Sequence, residues 1–545
     1  MISDTSASFN NKMNMKTKIG FGSGHVFNDV AANASTGYVL MFFTTVIRLS
    51  NINAGLIFTI GNIADAFGNV AIGLLIDLDI KCKPYDRYGK LKSWHLVGTI
   101  LLLVFYILLF LPPLGIKIEE HITAYYASIF ILVNSGYTII AIAHSAIISK
   151  IAISEEDQVA LVSIKNSGLA TACIFIYLVA YFCFGITEED SLGSSEFIAF
   201  VLITSFGGVT ASLLFHVLLK EINPDRTVDT SQCSETTRLR TISEASRASN
   251  STKKKSQWLK EVEFYAAILI YAVLRTFFSV CMAYLVFFVQ YTLMLEKAYL
   301  AIVPLTMVLS GPVFSKPIKQ IIATFGLEKS LIFFGIVGVG ACTWIWFGCI
   351  SEESKRYEVF GISALLGISS YSMLVASLAI IVRLIGQNLG KYFHFGFYLN
   401  FCFPKIVYRE KRRFLLIWLF SDTAGFVYGA KGFVDRAFGG ITILVIQIYS
   451  PTIPEHPELE IQYFRWALVF ANGGLIGVAI ILTIALLLHK KECLTMCLNS
   501  NLLNKELEGR KRKIPSCGTI VPAIGPKLTT LFKKIVTYKC NKNDR

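Results

Sequence analysis

The sequence predicts an all-α membrane protein of twelve spans in two halves of six, with both termini in the cytosol. Three observations predict it. Apolar runs of membrane length recur from residue 22 to residue 488. Of the 545 residues 54% are hydrophobic and only 16% charged, with a mean hydropathy of +0.57; an ordinary soluble domain carries about 25% charged residues. The cations fall mainly in alternate connections between the runs, as the positive-inside bias requires.

A helical span needs about 20 mostly apolar residues. Twelve runs qualify, at about 22–47, 54–76, 94–114, 123–148, 164–186, 196–219, 262–289, 299–322, 330–350, 358–384, 422–448 and 463–488. Residues 1–18 are polar and lack an apolar core, so no cleavable signal peptide is expected. One side of the membrane receives that tail, the basic 77–93 connection, Lys316, Lys319 and Lys329, and the basic tail 489–545. The opposite connections are cation-poor, with Glu188, Glu189 and Asp190 in one and Glu455, Glu458 and Glu460 in another. The basic side is therefore the cytosolic one.

A Ser-, Thr- and Lys-rich linker at 220–257 divides the spans into halves at 19–219 and 258–488. A weak internal echo supports the division: GPVFSKPIKQIIATFG follows span 8 where GLLIDLDIKCKPYDRYG follows span 2. Residues 389–421 form an atypical insertion between spans 10 and 11. Its apolar pieces are too short to span and are split by Pro404 and the run REKRR. It reads either as an interfacial loop or as sequence joined in error to the gene.

Composition excludes several classes. The net charge of +14 lies in alternate connections and the tail, which argues against a nucleic-acid partner. Twelve cysteines show no metal-ligand spacing or disulfide framework. No hydrolytic triad or phosphate-cradling glycine loop emerges, so the chain is not expected to be an enzyme. The glycines from Gly335 to Gly340 lie inside a span, where small residues let helices pack closely.

The chemistry must lie in polar groups within the spans. An ionised group at mid-membrane costs at least about 2.5 kcal/mol, so it must face protein or a water-filled cavity. Span 1 opens with His25, Asn28, Asp29 and Asn33, and residues 25, 29 and 33 share one helical face. Span 2 carries Asn62, Asp65 and Asn69 on one face. Compensating cations are Lys165 in span 5, Arg275 in span 7, and Lys431 and Arg436 in span 11, where Asp435 adjoins Arg436. Arg275 and Lys165 could grip a carboxylate, the arginine as a planar fork and the lysine as a point charge; ion pairing between helices is the competing role. His144 and Gln290 are weaker candidates, read as hydrogen-bond partners between helices.

Several segments carry a family resemblance. The strings ADAFGN, GLLID and YDRYGKLKSWHLVGT resemble the second-helix signature of the glycoside-pentoside-hexuronide cation symporter branch of the major facilitator superfamily. GHVFNDV, IVPLTMVLSG and GFVYGAKGFVDRAFGG extend it, and the set is similar to the animal lysosomal and melanosomal cysteine transporters of that branch. The resemblance covers most of residues 19–488. It implies a major facilitator fold and alternating-access transport of cysteine into lysosomes or related organelles, with the plasma membrane as the alternative location. It matches Asp29 to a substrate or cation contact and Asp65 to the first acidic position of the cation site. Arg436 matches the basic residue of span 11 that faces spans 1 and 2. Asn69 stands where the branch has a second carboxylate, which weakens a sodium site and favours coupling through one carboxylate. The implied partners are a small-molecule substrate and the lipid bilayer, with no nucleic acid, no metal and no cofactor beyond coupling to H+ or Na+. A sugar or lysolipid cation symporter of the same branch is the first alternative, and a non-transporting membrane scaffold or sensor the second.

Overall fold

The computed structural model describes residues 13–77, 88–151, 155–185, 192–219, 261–349, 351–387, 422–451 and 457–490. The linker at 220–257, the insertion at 389–421 and nearly all of the tail at 489–545 lie outside them. Every regular element among the described residues is helical. The first half contains α1 (Met15–Ser23), α2 (Val26–Met41), α3 (Asn51–Asp77), α4 (Lys90–Leu109), α5 (Glu119–Ile151), α6 (Glu155–Gly185) and α7 (Ser194–Leu218). The second contains α8 (Val262–Phe287), α9 (Tyr299–Val313), α10 (Ser315–Phe325), α11 (Leu327–Phe347), α12 (Glu352–Gln387), α13 (Asp422–Ile448) and α14 (Pro457–Trp466). A π-helical turn extends α2, α8 and α14, and the last of these leads into the apolar span Gln462–Lys490.

Helical segments overlap all the predicted runs. Nine among the described residues are long and apolar enough to cross a membrane, or ten if the bent pair α9–α10 is one span. Two other segments owe their weaker apolarity to the residues that matter most here. α2 is interrupted at Gly24–His25, and α13 carries Lys431, Asp435 and Arg436.

Two predicted spans are broken. Span 1 begins earlier than expected, at Met15, where the Asn14 side chain accepts the Lys16 backbone N–H at 3.1 Å. It then turns at residues 24–25. A Cβ on Gly24 would lie 2.4 Å from the Phe215 ring and 2.8 Å from the His144 ring, so only glycine lets the chain pass there. The carbonyls freed by the break are taken by imidazoles: Phe21 O by His144 Nε2 at 2.8 Å and Gly24 O by His95 Nε2 at 2.8 Å. Span 8 bends by 50° between α9 and α10. Pro304 and Pro312 inside α9 each remove a backbone donor from the ladder. The resulting α10 is amphipathic, with Lys316 exposed and Ile318 buried.

Successive helices run up and down, so one end of the bundle holds α1 (the α1 end) and the other holds the 46–50, 110–118 and 293–298 connections (the far end). α3 packs on α13, α2 on α8 and α6 on α9, which pairs span 2 with 11, 1 with 7 and 5 with 8 across the halves. The far end is closed by polar bonds between the halves. Glu196 of α7 pairs with Lys297 at 3.5 Å, Tyr38 Oη donates to Leu300 O at 3.0 Å, and Asn51 Nδ2 donates to Pro451 O at 3.1 Å. Aromatic rings from Tyr38, Phe42, Phe110, Phe184, Phe197 and Phe200 pack beneath this closure, in edge-on and tilted pairs. The glycine run in α11 does bring helices close: a Cβ on Gly338 would meet Ser369 Oγ at 2.5 Å and Ile476 at 2.8 Å.

Candidate functional site

The two halves enclose a cavity of about 680 Å³, lined from both. Its polar wall is built in three places. α2 and α3 supply Asn28, Asp29, Asn33, Asn62, Asp65 and Asn69; α5 supplies Asn134, Tyr137 and Thr138; α8 and α13 supply Arg275, Asp435 and Arg436. Ser35, Thr36 and Ser279 add hydroxyls, and most of the rest is apolar, including Phe58, Phe130, Phe278, Leu374 and Leu378.

Asp65 sits midway along α3 and is 3% exposed. Each of its oxygens is engaged. Oδ2 lies 2.8 Å from Arg436 Nε. Oδ1 accepts from Asn69 Nδ2 at 2.9 Å and from the Thr138 hydroxyl. Asn69 also donates to the Asp65 carbonyl at 2.8 Å, so the four-residue spacing holds the amide against the carboxylate. An amide stands where a second carboxylate would raise the local negative charge, and it acts as a donor. One carboxylate, one guanidinium and two neutral donors make a closed, charge-balanced set that ties the first half to the second.

Asp29 is different. It is 8% exposed, yet Oδ2 has no hydrogen-bond partner, and neither has Asn28 Oδ1 beside it. Oδ1 lies 2.9 Å from His25 Nδ1 but off the direction an N–H would take, so that nitrogen too is left without a hydrogen bond. Asn33 turns back to its own helix, donating to Asp29 O at 2.8 Å. Across the cavity Arg275 stands over the Phe278 ring at 5.4 Å and makes no ion pair or hydrogen bond to described residues. Asp435 reaches the same wall without an ion pair among the described residues.

The remaining candidates lie behind the wall. Lys165 Nζ donates to Ser145 Oγ at 3.0 Å and lies within electrostatic range of Asp29 and His25. His144 is fully buried and stacked on Phe21 at 4.2 Å. Lys431 lies over the Tyr271 ring at 4.0 Å. Gln290 Oε1 is buried without a partner and is not part of the cavity wall. The chain carries wall residues beyond those predicted. Tyr137 links Ser35 Oγ (2.8 Å) and Ala31 O (2.9 Å), Thr138 holds Asp65, and Cys173 of α6 completes the lining. Hydroxyls and thiols are common in apolar helices, where they bond to the preceding turn, so their presence alone marks nothing; only spacing against a facing carboxylate would have.

A family model described as MFS/sugar transport protein matches residues 20–391. The chain belongs to this family. Its members are transporters of the major facilitator superfamily, not enzymes, and the match ends just inside the predicted insertion. Over 496 residues the chain is 25% identical to Major facilitator superfamily domain-containing protein 12 of Homo sapiens, covering 87% of this chain and 94% of that protein. It is 28% identical over 187 residues to the uncharacterized symporter YnaJ of Bacillus subtilis, covering 33% of this chain and 39% of that one. Among solved structures, that of a D-xylose–proton symporter superposes with a TM-score of 0.53 at 13% identity, covering 84% of this chain and 96% of that chain. That likeness concerns the fold. Membership makes this chain a multi-pass integral membrane transporter acting on a small molecule.

Proposed function

We propose that this family member moves a small zwitterionic amino acid by alternating access, with cysteine as the substrate its sequence resemblance implies and a lysosome-related organelle as the location. The observation that carries the reading is a pair of opposite charges lining one cavity: Asp29 on α2, whose Oδ2 has no hydrogen bond, and Arg275 on α8, which makes no ion pair among the described residues. An amino acid brings an ammonium for the first and a carboxylate for the second, each in a charge-assisted bond. Because α2 and α8 belong to different halves, a bound zwitterion bridges them, which is how substrate couples to a rocking motion. Asp65 and Arg436 hold the halves in register meanwhile.

The closed far end and the basic connections at the α1 end support an orientation with the α1 end in the cytosol. Coupling through a single carboxylate rather than a two-carboxylate sodium site fits Asn69, which donates to Asp65.

The apolar share of the wall, with Phe58, Phe130, Leu374 and Leu378, favours a second reading in which the cargo carries a hydrocarbon chain, as a lysolipid does. Uptake of labelled cysteine, melibiose and lysolipid into proteoliposomes separates the readings. Cysteine flux saturating with its concentration supports the first, lysolipid flux the second, melibiose flux a sugar symporter, and no flux of any solute a scaffold.

A further inference from the structure

Four histidines gather between Asp29 and the α1 end. His216 accepts from Tyr88 Oη at Nδ1 (2.7 Å), and its Nε2 lies 3.2 Å from His95 Nδ1. The His95 ring is 6.2 Å from that of His144, and His144 is 5.4 Å from His25. His25 Nδ1 is then 2.9 Å from Asp29 Oδ1. Tyr88 is exposed, whereas His95 and His144 are fully buried.

Holding up the broken first span accounts for only part of this cluster. Capping the Phe21 and Gly24 carbonyls uses one N–H each from His144 and His95. It places the His144 proton on Nε2 and leaves Nδ1 bare, buried and without a donor. His25 Nδ1 and Asp29 Oδ1 are likewise close and buried, yet without the aligned hydrogen bond that would satisfy them. Only a proton held between an imidazole nitrogen and a carboxylate oxygen turns so short a buried contact into a favourable one. The other titratable groups that face this pair are Lys165 and Cys173 of α6; Lys92 of α4 faces His95 farther along.

We propose that His25 and Asp29 form the proton site of this transporter, sharing one proton between Nδ1 and Oδ1, and that His144, His95 and His216 connect them to the α1 end. Loading the proton swings Oδ1 onto His25 and presents Oδ2 to the cavity for the substrate's ammonium, so proton and substrate bind together. The bond made is N–H···O between His25 and Asp29, and the proton comes from water at the α1 end. Steps between rings 5 to 6 Å apart are bridged by one water or a ring flip. This rests on the transport reading for its coupling, but the proton site itself does not need a substrate.

The test therefore has two arms. In purified protein labelled at histidine ring carbons, the signal lost in His25→Gln identifies His25. It should titrate, with a midpoint that falls in Asp29→Asn. A His25 signal that never titrates overturns the proposal, whatever the substrate is. In proteoliposomes, labelled cysteine uptake should carry protons with it and slow as the α1-side pH rises. His25→Gln cannot titrate, so the proton movement that accompanies cysteine uptake should stop. Cysteine uptake that rises with pH means proton and ammonium compete, which also overturns the proposal. Absent cysteine flux with a titrating His25 sinks the substrate reading and leaves the proton site standing.

Discussion

Of the three carboxylates that line the cavity, Asp29 and Asp65 lie on consecutive helices, and their surroundings differ in kind. Asp65 has a guanidinium on one oxygen and two donors on the other. Asp29 has a free oxygen, an orphan asparagine beside it and an imidazole nitrogen at the wrong angle. Buried polar groups are nearly always satisfied, so an unsatisfied one needs an explanation. The contrast separates two jobs that sequence pattern alone assigns jointly to both residues. A satisfied charge pair between halves holds the structure; an unsatisfied charge waits for something that arrives. The cations divide the same way: Arg436 is paired with Asp65, whereas Arg275 makes no ion pair among the described residues and lies within electrostatic range of Asp435.

The comparison breaks first at the satisfied pair. Asp65→Asn removes the carboxylate paired with Arg436; because the Arg436 side chain is 40% exposed and Asp435 lies close, the cost should fall below the ~3–5 kcal/mol of a fully buried pair. Protein at the membrane should fall, measured as abundance and melting temperature in detergent. The charge-neutral double variant, Asp65→Asn with Arg436→Gln, should restore abundance but not flux. If the single variant is as abundant as the wild type and transports normally across pH, the pair has neither a structural nor a coupling role.

At the unsatisfied residues the same chemistry should leave stability alone and strike transport. Asp29→Asn removes a charge that no protein group neutralises directly. Abundance should hold, while apparent affinity for cysteine drops by about 30- to 150-fold, the worth of a charge-assisted bond of about 2–3 kcal/mol. Arg275→Lys keeps the charge and loses the planar fork, so affinity should fall about tenfold, with Arg275→Gln worse. Unchanged affinity in both Arg275 variants removes it from the substrate site.

Much of this was legible because charge in hydrocarbon is expensive. Asp29, Asp65, Arg275 and Arg436 stand out in apolar runs, and the four-residue spacing of Asp65 and Asn69 already placed them on one helical face. The helix limits followed from run length; the helix predicted at 422–448 spans Asp422–Ile448. What pattern could not supply was which charges meet. Asp65 and Arg436 are joined only by packing α3 on α13, and nothing local in either helix reports that Asp29 lacks a partner. Lys165 illustrates the point: it sits in the right span but points to Ser145 rather than into the cavity. His95 and His216 went unread because a lone histidine near a helix end is ordinary. Only the break at Gly24–His25, set by tertiary contacts with Phe215 and His144, gives them something to hold.

The smallest effects sharpen the contrast most, because they change one neutral group on each side of it. Thr138→Val keeps the shape and deletes one donor from Asp65, which retains Arg436 and Asn69. The loss should be about 1 kcal/mol of stability, read as a modest drop in melting temperature, with substrate affinity unchanged. Asn28→Ala deletes an acceptor that no protein group uses. Removing an orphaned buried group costs nothing in hydrogen bonds, and the gain from losing it offsets the small cavity left behind, so stability should stay about level. Affinity for cysteine should instead fall by a few fold, because the ammonium loses its second acceptor beside Asp29. The two variants thus move opposite readouts. If Thr138→Val weakens affinity while Asn28→Ala weakens only the fold, then the substrate sits at Asp65, and the assignment of holding and waiting charges is reversed.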